Sequence, residues 1–383
     1  MRVLIFSKAA IRAAYHRQYE VIAAQPEVDE LLVLVPPYWR EPHVGRIPLE
    51  PVAPQGYQLA VVPLRWNGQY HLYYAPWLPS WLRRFRPDVL HIDEEVYNFA
   101  TFHATLFARH VGAHAVAFCW QNIYLRYPPP FRWFEKALAT RLSGVVAGNA
   151  DAAQVLRRKG YRIPTRIIPQ YGVDTELFTP VALPKMLPFR VGYLGRLVPA
   201  KGIDVLLESL KKCPDHVEVW IGGGGDEGRW KTQAERLGIA HRIHWVGSVP
   251  STHVPDFLRA LHCLVLPSRT TPRWKEQFGR VLVEAMACGL PVIGSDSGEI
   301  PRVIGDAGLV FREGDAHHLA KHIRMLSEHA EKWKELSCAA RERAVRLFSV
   351  EQVAARYVQF WKAITRTPAE GEPVDFSDQQ GVI

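Results

Sequence analysis

The chain has 383 residues, 48% of them hydrophobic and 22% charged, which is the profile of a folded globular protein and too long for one ordinary core, so two domains are expected. Its formal net charge of +9 asks for an anionic partner, but the basic residues are dispersed and form no dense block or nucleic-acid motif, so nucleic acid is not an expected partner. No apolar run approaches the ~20 residues of a membrane-spanning helix, and the start, Met1 to Phe6, lacks the apolar core and cleavage site of a signal peptide. A cytoplasmic location is therefore expected, with the inner face of the membrane as its variant.

Short β-rich runs alternate with helical stretches nearly throughout. The predicted strands are 2–6, 31–35, 59–63, 89–92, 114–118, 145–147 and 166–168, then 190–194, 218–221, 243–246, 263–266, 291–294 and 309–311. Several are continuous apolar runs, as strands covered on both faces require, and the helical stretches 203–210, 257–260 and 281–288 fall between them. This alternation predicts parallel α/β sheets. Three prolines break the pattern across 178–188, which divides the chain into 1–180 and 181–349. An amphipathic helix is expected over 350–367, and the Gly-, Pro- and acid-containing tail 368–383 reads as disordered.

Two N-terminal stretches mix cations with aromatics. One runs from Arg65-Trp66 through Trp77 and Trp81 to Arg83-Arg84, the other from Trp120 through Arg126-Tyr127 and Arg132-Trp133 to Lys136. Peripheral contact with a membrane interface would use such residues; the favoured reading is a buried aromatic cluster under a charged rim. The five cysteines are scattered without a CxxC pair, which argues against a disulfide framework and a thiolate metal site. His318 and His322 share a helix face with no carboxylate motif beside them, so they read as a solvated face, and no metal or other cofactor is expected.

Chemistry concentrates in two segments. In Tyr193-Leu-Gly-Arg-Leu-Val-Pro-Ala-Lys-Gly202 a strand ends at Gly195, Arg196 follows, and Lys201 precedes a helix. Two cations there suit a diphosphate, since ligands of open α/β sheets sit at the carboxyl ends of strands; a solvated basic loop is the bland alternative. In the second segment, Glu276-Gln-Phe-Gly279 leads into a helix that Gly289 and Pro291 stop. The free N–H groups around Gly279, Arg280 and Val281 can bind an anion. Glu276 and Glu284 are eight positions apart, which on one helix would mean about 80° and ~12 Å. That is too far for a paired acid and base, and fits Glu276 in the loop beside a sugar with Glu284 in the helix reaching a ribose. Glu284 lies in an apolar run, so its carboxylate needs partners; a partly exposed acid or a structural salt bridge is the alternative. Gly223-Gly-Gly225-Asp-Glu-Gly228 fits a dinucleotide fingerprint, but the next strand, Ile243 to Val246, ends in Gly-Ser-Val with no acid for a ribose, and the context argues against that reading.

With both segments in view, the C-terminal half resembles the retaining GT-B glycosyltransferases of family four. The likeness rests on Gly195-Arg-Leu…Lys201-Gly202, the Glu276-to-Glu284 run, Pro267-Ser268 before it and Gly289-Leu-Pro-Val-Ile-Gly-Ser-Asp-Ser-Gly-Glu-Ile-Pro301 after it, together with Ile168-Pro-Gln-Tyr-Gly172-Val-Asp174 and Phe178. It covers about residues 145–314. The resemblance implies two Rossmann-like domains facing across a cleft, a final helix crossing back to the N-terminal domain, and retention of configuration without an essential metal. It implies Arg196 and Lys201 on the diphosphate of a nucleoside diphosphate sugar (UDP- or GDP-linked), Glu284 on the ribose, Glu276 near the sugar, and Gly195, Val249 and the backbone from Phe278 through Gly279 and Arg280 to Val281 around the donor. Two departures stand out. Ser7-Lys8 replaces the usual glycine pair after the first strand, and Gln121-Asn122 stands where many relatives place a histidine. Gln121 can orient a hydroxyl but cannot titrate. Asp93, Glu94 and Glu95 are acceptor-side candidates with Ser7, Lys8 and Asn122, though a solvated loop explains the acids equally well.

The expected activity is transfer of a hexose from the nucleotide sugar to a hydroxyl of a glycan or lipid-linked acceptor in cell-surface polysaccharide or glycolipid synthesis. The rivals are a sugar-nucleotide epimerase of the same architecture and a non-catalytic nucleotide-sugar binder.

Overall fold

The structure, a computed structural model, describes residues 1–41, 45–181 and 186–366. Two compact units emerge: residues 1–172 joined by the C-terminal stretch from Val350, and residues 173–349. The tail 368–383 and residues 182–185 of the proline-rich break lie outside the described residues.

Among the described residues the first unit holds nine strands: β1 (Arg2–Phe6), β2 (Glu30–Val35), β3 (Tyr38–Glu41), β4 (Gly45–Pro48), β5 (Gln58–Val61), β6 (Val89–Ile92), β7 (His114–Cys119), β8 (Gly144–Ala147) and β9 (Thr165–Ile167). Seven form one parallel sheet in the order β5-β2-β1-β6-β7-β8-β9, and β3 pairs with β4 as a separate antiparallel ribbon. The second unit holds β10 (Phe189–Leu194), β11 (Val217–Gly222), β12 (Ile243–Gly247), β13 (Cys263–Leu266), β14 (Val292–Ser295) and β15 (Leu309–Phe311), parallel in the order β12-β11-β10-β13-β14-β15. Both orders run outward one way from the first strand and then reverse, the doubly wound pattern. Each therefore has a switch point, between β1 and β6 in one unit and between β10 and β13 in the other, and the loops at those strand ends splay apart to leave a crevice.

All thirteen predicted sheet strands are present, and the central ones follow from burial on both faces, which demands apolar runs: β8 and β13 are buried at every position. The β3–β4 ribbon is a structural finding beyond the predicted strands. Tyr38-Trp-Arg-Glu41 and Gly45-Arg-Ile-Pro48 are short, charged and half exposed, and carry no apolar run to betray them.

The C-terminal helix Val350–Thr365 belongs to the first unit, where Val353, Ala354, Tyr357, Val358, Phe360 and Trp361 join the core. The expected divide at 180/181 moves upstream to 172/173. Residues 173–180 are tied to the second unit instead: Val173 N–H donates to Phe348 O at 2.8 Å, and Arg341 donates to the carbonyls of Thr175 and Phe178 at 3.1 and 2.8 Å. Prolines mark a break in periodic structure, but side-chain bonds decide which body a loop belongs to.

Trp361 is fully buried. Trp361→Ala is expected to cost about 3–5 kcal/mol, read as faster hydrogen exchange in β1 and β6 with β10 and β13 unchanged. Equal loosening of both units would contradict the assignment of this helix to the first.

Candidate active site

In the second unit β10 ends at Leu194, and the loop beyond it carries Gly195, the exposed Arg196 and a single turn, Pro199–Lys201. The Gly223-Gly-Gly225 run gives this loop its floor. A Cβ on Gly223 would lie 1.8 Å from Gly195 O, and Gly195 N–H and Leu197 N–H donate to the carbonyls of Gly222 and Gly224 at 3.0 and 2.8 Å. These glycines thus serve close backbone packing. The helix that follows, Glu227–Arg236, is capped by the Asp226 carboxylate accepting from Arg229 N–H, which puts negative charge where a dinucleotide phosphate would sit.

The neighbouring switch-point loop, after β13, begins Pro267-Ser268. Gly202, at φ +68°, lets it approach: a Cβ there would lie 1.9 Å from Pro267 O. The contact brings Lys201 against the Glu276 loop. Lys201 Nζ donates to Glu276 Oε2 at 2.5 Å, Ser268 Oγ donates to the same oxygen at 2.8 Å, and Lys201 Nζ lies 4.7 Å from the centre of the Trp274 ring. The side chains of Lys201 and Glu276 are 14% and 10% exposed, so the pair is largely withdrawn from water and each ion depends on the other. Behind Glu276, the turn at Gly298 closes on its backbone, where a Cβ would lie 2.1 Å from Glu276 O and Glu299 N–H donates to that oxygen at 3.1 Å.

Glu276 lies in this loop, and the helix Arg280–Ala287 starts four residues later with Gly279, a residue without a side chain, as its N-cap at φ +78°. Glu284 lies one turn in and accepts from Arg280 Nε at 2.8 Å. Burial pushes its carboxyl above the usual range, while the Arg280 guanidinium pulls the other way. Phe278 is buried edge-on against Phe348, Val281 is half-buried, and Val249 packs beside Gly222 at the end of β11. Arg196 has no carboxylate partner among the described residues. Three cations, two carboxylates and a helix N-terminus begun by a glycine leave this end of the sheet attractive to an anion.

At the switch point of the first unit, Ser7 and Lys8 follow β1 while Asp93, Glu94 and Glu95 follow β6. They meet and are not a solvated loop: Asp93 is 7% exposed and Glu94 3%. Asp93 accepts from Ser7 Oγ at 2.5 Å, Tyr171 OH at 2.9 Å and Gln170 Nε2 at 2.7 Å. Lys8 Nζ donates to both oxygens of Glu94 at 2.7 and 2.6 Å inside a box of the Trp39, Tyr70 and Tyr73 rings, each 5.4–5.8 Å away. Burial raises the Glu94 carboxyl against the pull of Lys8. Glu95 accepts from Trp120 N–H at 2.8 Å, and burial pushes its carboxyl up to about 6.

Gln121 and Asn122, after β7, are buried. Gln121 Oε1 accepts from Lys159 Nζ at 2.6 Å, and Lys159 is also paired with the buried Glu135. This partner lies 38 residues away in sequence and no local pattern announces it. Ser268, Trp274 and Gly298 were likewise not singled out for these contacts, although Ser268 and Gly298 fall in the runs that carried the resemblance.

HepE from Anabaena, solved in complex with UDP, matches with a TM-score of 0.71 at 20% identity, covering 95% of this chain and 100% of that one. Sucrose-phosphate synthase from Thermosynechococcus elongatus matches with a TM-score of 0.70 at 19% identity, covering 95% and 99%. These likenesses show the GT-B fold. Residues 16–177 match the family described as Glycosyltransferase Family 4 and residues 177–343 the one described as Glycosyl transferases group 1, so the chain belongs to the family-four type of GT-B glycosyltransferases. Among its relatives are O-antigen chain mannosyltransferase B of Escherichia coli, 29% identical over 179 residues, and a phosphatidyl-myo-inositol mannosyltransferase of Mycobacterium leprae, 33% identical over 178. Each match covers 45% of this chain, and the chain spans about half the length of these curated relatives (45% and 46%).

A carboxyl raised in the folded state contributes stability that is full below its ordinary 4.5 and lost as pH rises through about 6. Glu95→Gln keeps an oxygen for Trp120 N–H and does not titrate. The melting temperature of this variant relative to the parent is therefore expected to climb between those two pH values. A flat difference would show that Glu95 titrates as a solvated acid.

Proposed function

We propose that the chain transfers a hexose from a nucleoside diphosphate sugar, UDP- or GDP-linked, to a hydroxyl of a glycan or lipid-linked acceptor, with retention of configuration and without an essential metal. The observation that carries this reading is the meeting of Lys201, Glu276 and the glycine-capped start of the helix Arg280–Ala287 at one switch point. Support for the donor class comes from HepE, solved with UDP, and for the acceptor class from the lipid and O-antigen mannosyltransferases among the relatives.

In this reading the diphosphate lies on the helix N-terminus with Arg196 and Lys201, and these supply the positive charge that a metal would otherwise bring. As the bond between the anomeric carbon and the phosphate oxygen breaks, negative charge grows on that oxygen and the same groups stabilise it. The acceptor oxygen bonds to the anomeric carbon on the face the phosphate leaves, and its proton passes to the departing phosphate oxygen. Glu276 orients a sugar hydroxyl while holding Lys201 in place. Glu284 accepts from the ribose hydroxyls, and Val249 lines the base pocket. Ser7, Lys8, Asp93, Glu94, Glu95 and Asn122 form the acceptor side, and Gln121, held through its oxygen by Lys159, offers its N–H₂ as a donor.

A thermal-shift series with UDP, GDP, ADP and their sugar conjugates, without added metal, tests this. Saturation at ~100 times the dissociation constant should stabilise the chain by about 2.7 kcal/mol, selectively for one base and not in Glu284→Ala. Lys201→Ala is expected to lower turnover at least 100-fold, on the order of one lost charge-stabilising contact, and to lower the melting temperature by leaving Glu276 unpaired, with the protein still folded at the assay temperature. A K201A protein of normal turnover, or a folded parent that responds to no nucleotide, would overturn the proposal.

A further inference from the structure

Beyond this reaction, the first unit carries a surface that its core does not use. Trp66, Trp77 and Trp133 are 58%, 59% and 64% exposed. The expected buried aromatic cluster is real, since Tyr73 is fully buried and Trp81 half-buried, but these three indoles stand outside it. Trp66 sits on a shared aromatic base that Trp133 borders in sequence. Trp66 packs on Tyr74, Tyr74 on Phe99, and Phe99 and Phe102 on Phe134, the residue after Trp133. The helices Leu78–Phe85, Phe99–His110 and Phe131–Leu138 are thereby joined side by side, with Trp77 just before the first of them.

The segments that carry these indoles are strongly basic. Residues 62–87, 99–110 and 120–141 contain nine lysines and arginines and a single acid, Glu135. All nine cations are exposed, whereas Glu135 is buried on Lys159. Arg83 and Arg84 project from the first helix, and Arg132 and Lys136 flank Trp133 on the third. Trp66 is also held at φ +53°, a conformation that bulky side chains avoid, in a tight turn that presents its ring to solvent. A backbone penalty kept for an exposed indole points to a partner that uses it.

We infer that this face docks on an anionic lipid bilayer, with the three indoles entering the headgroup region and the cations drawn to acidic phosphates. Indoles favour that interface because one ring edge is polar and the rest apolar, and nine exposed cations against one buried acid in these segments match the negative surface potential of acidic lipids. Among the described residues no helix is long and apolar enough to cross a membrane, so docking of this kind is reversible.

Flotation of the full chain with phosphatidylcholine vesicles, with and without phosphatidylglycerol, provides the test, read with tryptophan emission and repeated at rising salt. Binding is expected only with phosphatidylglycerol, with a blue shift and a fall as salt screens the charges. W66A/W77A/W133A should lose the blue shift and most binding. R83E/R84E/R132E/K136E should lose at least the roughly five-fold partitioning that each removed cation supplies. Both variants change exposed side chains outside the proposed donor site and should keep the nucleotide thermal shift, so failure of docking and failure of the transferase reading are separable. Absence of binding to phosphatidylglycerol vesicles at low salt, undiminished binding by both variants, or binding of a soluble polyanion such as heparin without binding of vesicles would each overturn the inference.

Discussion

The ion pair between Lys201 and Glu276 is the interaction around which the second unit is arranged. A charge pair so little exposed survives only when its geometry is good and its remaining valences are met, and the surrounding chain supplies this with Ser268 as a second donor and the Trp274 ring beside the ammonium. Two glycines make the approach possible, Gly202 by clearing Pro267 and Gly298 by clearing the backbone of Glu276. The pair thus depends on three loops that are distant in sequence and are gathered at one end of the sheet by the reversal of strand order between β10 and β13.

The first unit solves the same topological problem differently. Its switch point is filled by its own charges: Asp93 takes three donors, and Lys8 is clasped by Glu94 within three aromatic rings. Two of those rings come from the ribbon strand β3 and from Tyr70. The side chain that stands in place of a glycine pair is therefore accommodated by a local elaboration of the fold. The crevice offers fixed polar edges where a bare backbone would otherwise be expected.

Legibility followed burial. Strands covered on both faces were readable because their apolar runs have one explanation, and the Arg280–Ala287 helix because glycine and proline punctuate it. The β3–β4 ribbon was not, since an exposed two-stranded pair has no compositional signature. Asp93 and Glu94 read equally well as a solvated loop, because three consecutive acids reveal nothing of Tyr171, Gln170 and Lys8 arriving from elsewhere. Gln121 was singled out, but Lys159, which sets the direction of its amide, was not. Long-range pairing is what periodicity cannot encode, and at both switch points it is what shapes the chemistry.

The placement of the helix Val350–Thr365 has a consequence for biosynthesis. Residues 173–349 form a contiguous body that can complete its core while the chain is still being extended by the ribosome. The earlier body cannot, because Tyr357, Phe360 and Trp361 of its core are translated after the whole of the later one. Until they emerge, an apolar groove beside His16–Ala23 stays open, and the nascent chain presents the kind of surface that chaperones recognise. The unit that begins first is the one that matures last.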